Sequence, residues 1–89
     1  MIGEARPMAA GEPALLQEAF ALEAWHGAAL SAHERAMIHD LAARFIAMGS
    51  AMRVTADEIA TLEEAARALR AADAAFEAGP PPVVVRSRA

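Results

Sequence analysis

Ser31-Ala32-His33-Glu34 and Thr55-Ala56-Asp57-Glu58 each set a hydroxyl residue three positions ahead of a glutamate. In this spacing the hydroxyl accepts from the backbone N–H of the glutamate, while the carboxylate accepts from the backbone N–H of the hydroxyl residue. Two donors orphaned at a helix start are thereby satisfied together. The two boxes divide an alanine-rich chain that would otherwise read as one helical run. Upstream, Pro13 suits the first turn of a helix, where a missing N–H costs nothing. Downstream, Gly79 is placed to close a helix and Pro80-Pro81-Pro82 cannot continue it. The chain reads as three helices over 13–30, 32–52 and 56–78, between a flexible arm at 1–12 and a Pro-rich extended tail at 79–89. Short connections make consecutive helices antiparallel. The fold class is all-α, as a three-helix antiparallel bundle or a helical hairpin plus a third helix. Gly27 and Ser31 weaken a helix without forbidding it, so fusion of the first two helices stays open at this level.

Apolar residues recur at helical spacing inside these limits. The second helix carries Met37, Leu41, Phe45, Met48 and Met52 on one stripe, widened by Ile38. The third carries Ile59, Leu62, Ala66, Leu69, Asp73 and Phe76 in the three-four alternation of a coiled-coil seam. The first has a broader arc of Leu15, Leu16, Ala19, Phe20, Leu22 and Leu30. Of the 50 hydrophobic residues 26 are alanine, which favours helix but buries little apolar surface. Only 17 large apolar side chains fall in the three helices. So thin a core predicts a helical face completed by a second copy or another protein.

Charge and composition exclude several classes. Residues 13–78 hold ten acids against five arginines, a balance opposed to phosphate-backbone binding and to anionic membrane surfaces. No run of 18 apolar residues lacks a charge, so no membrane-spanning helix is expected, and the polar, proline-broken start is no signal peptide. A cytoplasmic location is the expectation. With no cysteine there is no thiolate ligand, thiol nucleophile or disulfide. Val54–Ala60 opens like a helix-turn-helix, but the helical pattern runs on to Ala78, leaving no room for a recognition helix after a short turn.

Chemistry, if any, must come from polar side chains inside apolar stripes. Glu23 and His26 form a Glu-x-x-His pair one turn apart, a spacing that lets both ligate one metal ion in ferritin-like bundles. A metal-binding oligomeric bundle, with Glu34 and Asp73 as further carboxylates, is the alternative this pair raises. The plainer expectation is that Glu23 and His26 bond each other or an arginine. Asp73 on the seam is expected to pair with Arg67, Arg70 or an arginine of a partner, fixing register and partner choice. His33 and His39 are expected in solvent. Ser31, Ser50 and Ser87 have no base-and-orienter pair beside them, so no catalysis and no cofactor is expected. Trp25 lies on the flank of the first helix's arc, either closing the core edge or standing as an anchor for a partner. The leading expectation is a small, non-enzymatic interaction protein (accessory subunit, adaptor or inhibitor). Its contacts would be Leu22, Trp25, Met48, Met52 and Asp73, made to another chain or to a second copy of itself.

Overall fold

The computed structural model describes residues 4–78. The Pro-rich tail expected at 79–89, with the Gly79 cap, lies outside them. Ser31 takes the extended backbone of an N-cap, with φ −73° and ψ 163°. Its Oγ accepts from the Glu34 N–H at 3.1 Å, and Glu34 Oε1 accepts from the Ser31 N–H at 2.9 Å. The reciprocal bonds at Thr55 and Glu58 measure 3.1 and 3.0 Å. Three helices result: α1 (Glu12–His26), α2 (Ala32–Met48) and α3 (Ala56–Ala78). A 3-10 turn at Gly27–Ala29 and an extended Leu30 separate α1 from α2, so the two are not fused.

α2 ends earlier than its apolar stripe suggests. Gly49 adopts φ 59° and ψ −139°, backbone that side-chain-bearing residues rarely enter, and the chain leaves the helix there. A 3-10 turn over Gly49–Ala51 follows, and Met52 is already extended. Met52 was expected on the second helix as a partner contact. It is instead a fully buried core residue, placed by the break at Gly49 rather than by helical spacing.

The exit strand has a second consequence. Arg53–Val54 (β2) pairs antiparallel with Arg6–Pro7 (β1), Arg6 opposite Val54 and Pro7 opposite Arg53. Proline is tolerated because this two-stranded ribbon is all edge. The Arg53 guanidinium also donates to the Ala5 carbonyl at 3.0 Å. Arg6 forks the Glu12 carboxylate at 2.9 and 2.8 Å, and Met8 packs on the core. Residues 5–12 are thus a docked segment, not the loose arm expected. The pairing joins positions almost fifty residues apart, which no local pattern announces.

The ion pairs give the helix order. Glu23 on α1 meets Arg35 and His39 on α2, and Leu16 and Phe20 share a groove with Ala42, Phe45 and Ile46. The sequence numbers therefore rise on α1 as they fall on α2, and the two are antiparallel. Glu18 meets Arg70 and His26 meets Asp73, so α1 and α3 run the same way. Arg44 on α2 reaches Glu58 at 2.6 Å, tying α2 to the first turn of α3. Each helix pair carries at least one such link.

Leu16, Ile38, Leu41, Met52, Val54, Leu62 and Leu69 are fully buried in one cluster, with Ala19, Ala65 and Ala66 buried among them. Small side chains at those points let the larger ones interlock. These residues are covered within a single chain. A Met52→Ala variant is expected to lose about 2–5 kcal/mol of unfolding free energy, because a cavity opens in the core. Met48→Ala, on an exposed site, is expected to stay within about 0.5 kcal/mol of the parent. Urea denaturation of the two variants checks the contrast.

Candidate functional site

Glu23 is the one charged residue buried among the described residues, with 5% of its surface exposed. It sits on the core face of α1, and both oxygens are taken by α2. Arg35 Nε donates to Oε2 at 2.9 Å, and His39 Nε2 lies 3.0 Å from Oε1. Arg35 and His39 are four apart on one face of α2, so they reach the same carboxylate. Phe20 packs edge-on against the His39 ring at 5.5 Å. Burial works to raise the Glu23 carboxyl, but the Arg35 and His39 hydrogen bonds and their charges outweigh it. The group is held below the usual carboxylate range.

Gly27 makes this arrangement possible through space rather than through φ. A Cβ there would lie 3.0 Å from both Arg35 Nε and Glu23 Oε2. The absence of a side chain lets the ion pair close over the backbone.

Glu23 and His26 do not bond each other; of the two expectations, Glu23 meets the other, an arginine, in Arg35. Glu23 turns to α2, while His26 turns to α3, where its Nε2 lies 3.0 Å from Asp73 Oδ1. The two would-be metal ligands therefore have different neighbours, and Glu34 is engaged in its cap. Among the described residues no group of three or more His, Asp or Glu side chains is gathered where a metal ion could be held. Asp73 pairs with neither arginine expected of it: Arg70 forks Glu18, and Arg67 lies 3.7 Å from Glu64 on its own helix. His39, expected in solvent, is more than half exposed yet reaches Glu23 with its ring nitrogen.

The expected contact residues separate into two groups. Leu22 is half-buried against the core, and Met52 is fully buried and offers no surface. Trp25 is 83% exposed, Met48 is exposed, and Asp73 is half-buried. Phe76, read as a seam residue, is 71% exposed, because α3 extends past the end of α1. Its ring lies 5.8 Å from that of His26. Trp25, His26, Asp73, Phe76 and Glu77 together line a cleft of about 260 Å³. A second groove, of about 400 Å³, lies between α1 and α2 and is lined by Leu16, Gln17, Phe20, Ala42, Phe45 and Ile46. Ile46, 81% exposed, was missed from the sequence. Its signal is a large apolar residue one position off the α2 stripe, where solvent is expected.

An imidazole held by a carboxylate is part of a nucleophile-activating set. The hydroxyls of Ser31 and Thr55 are committed to their helix starts. No protein-family model matches the chain, and comparison with curated proteins and with solved structures finds no similar protein. The class the coordinates define is an all-α bundle of three helices. No helix among the described residues is long and apolar enough to cross a membrane.

Two outcomes are expected from the Glu23 arrangement. A carboxylate depressed on folding stabilises above its unfolded value, about 4.3 for glutamate, and that contribution fades as pH falls through the lower folded value. Glu12 and Glu18 are depressed in the same direction, first by hydrogen bonds from Arg6 and Arg70 respectively. The urea midpoint of the parent should therefore fall with acidification below the glutamate range, and Glu23→Gln should flatten that slope. Separately, Gly27→Ala is expected to cost about 1 kcal/mol, the low end for overpacking, because the half-exposed Arg35 side chain must give by a few tenths of an ångström to admit the new Cβ. In a Glu23→Ala background that cost should largely vanish, which a double-mutant cycle by urea denaturation would measure.

Proposed function

We propose that this chain is a small, non-enzymatic interaction module of the cytoplasm, an accessory subunit, adaptor or inhibitor that binds another protein through apolar side chains on its helices. The observation that carries the reading is the exposure of Trp25, Phe76, Ile46, Met48 and Phe20 on a bundle whose own core is already closed. Large apolar groups held in water cost solubility, and tryptophan above all is enriched where partners bind. The core does not use these side chains, so packing of the monomer does not account for them. All but Met48 fall into two concave places, and that grouping supports the same reading.

The experiment is affinity purification of the tagged chain from its native host, comparing the parent with Ile46→Arg and Trp25→Ser. Both sites are surface positions, so circular dichroism and the melting temperature of each variant should match the parent. The expected result is a stoichiometric protein that the parent retains and at least one variant loses. Recovery of the parent alone, monomeric by sedimentation velocity, would overturn the reading. Recovery as a homo-oligomer dispersed by Ile46→Arg would support it with a second copy as the partner.

A further inference from the structure

The cleft at the joint end of α1 and α3 has a chemistry distinct from that of the α1–α2 groove. Its walls are two aromatic rings, Trp25 and Phe76, and its polar rim carries the carboxylates of Asp73 and Glu77 beside the His26 imidazole. Asp73 Oδ1 accepts from the His26 ring at 3.0 Å, and among the described residues no donor meets its other oxygen. Glu77 likewise has no ion-pair partner among the described residues. The helix ends add to the same sign of potential. α1 ends at His26 and α3 at Ala78, so the negative ends of two helices that run the same way lie beside the cleft. A helix usually places basic residues in its last turn to offset that end. α3 has none there and carries Glu77 instead. Aromatic faces attract cations through their quadrupole, and two carboxylates beside them complete a site of one charge preference.

From this juxtaposition we infer that the cleft binds an arginine side chain presented by a partner protein. The planar guanidinium stacks on Trp25 or Phe76 and presents N–H donors to Asp73 and Glu77 at once. A lysine ammonium is a compact, strongly hydrated charge that does not stack in this way. The assignment rests on the interaction-module reading and names the chemistry of the partner at one of its two surfaces.

Trp25 is the chain's single tryptophan, so its emission reports directly on the cleft. The full chain is titrated with a blocked tripeptide carrying arginine between two glycines, and with its lysine and citrulline counterparts. The expected result is a saturable change in emission with the arginine peptide, weakened by high salt and absent with citrulline. Affinity for the lysine peptide should be lower by about fivefold or more, as should that of Asp73→Asn and Glu77→Gln for the arginine peptide. An equal response to citrulline, or no response in a protein with parental circular dichroism, overturns the assignment. An equal response to lysine overturns the preference for arginine. The chain's own Arg86 and Arg88 are the competing occupants. Replacing both with alanine should leave the emission of the peptide-free protein unchanged, and a shift there would assign the cleft to this segment instead. Because Ile46 is not in this cleft, loss of the peptide response leaves the partner test at the α1–α2 groove standing, and the converse also holds.

Discussion

A carboxylate buried between two helices has only a few arrangements open to it, and Glu23 is in one of them. Taking that charge out of water is costly, so the site is stable only with both oxygens occupied. Arg35 and His39 do this from α2, and Gly27 leaves the space in which they do it. Side chain, helix register and chain reversal are therefore coupled. α2 cannot slide or rotate against α1 without stranding the carboxylate, and a side chain at Gly27 would press on the ion pair itself. This explains how a hairpin rich in alanine, with few large side chains to interlock, keeps one register.

The remaining interfaces are fastened more weakly. Arg44–Glu58 and Arg70–Glu18 lie nearer solvent, where an ion pair contributes little beyond orientation. What holds α3 is apolar: Ile59, Leu62, Ala65, Ala66 and Leu69 face the buried side of α1, with Met52 and Val54 brought in from the preceding connection. The short ribbon of Arg6–Pro7 on Arg53–Val54 is where the segment before α1 docks on that connection. A chain of this length thus builds its core from its connecting segments as well as its helices.

With the core closed, the exposed aromatic and aliphatic groups stand apart from the needs of the monomer. The two concave places they form are chemically unlike. The α1–α2 groove is almost wholly apolar, while the cleft at Trp25 and Phe76 is bordered by carboxylates and by the negative ends of two helices. A surface that presents two different chemistries suits a module contacting a partner at more than one point, or two partners in turn.

The three helices and their class were legible in the sequence because the signals are local. A hydroxyl and a glutamate three residues apart meet whatever the rest of the chain does, and apolar spacing marks the inner face of each helix. The candidate site was legible only in part. Trp25 and Asp73 stand out in the sequence as exceptional, whereas nothing local marks Met52 as core or Ile46 as exposed. The break at Gly49 moved Met52 from a helical stripe into the core, and α3's length left Phe76 beyond the helix it was expected to cover. Partner choice among charged groups was decided by the tertiary structure alone. Glu23 turned from His26 to α2, and His26 turned to Asp73, because a side chain three residues away on one helix competes with groups that packing brings from another. Helix starts depend on neighbours in sequence, whereas buried charge, the docked segment at Arg6–Pro7 and open clefts depend on neighbours in space.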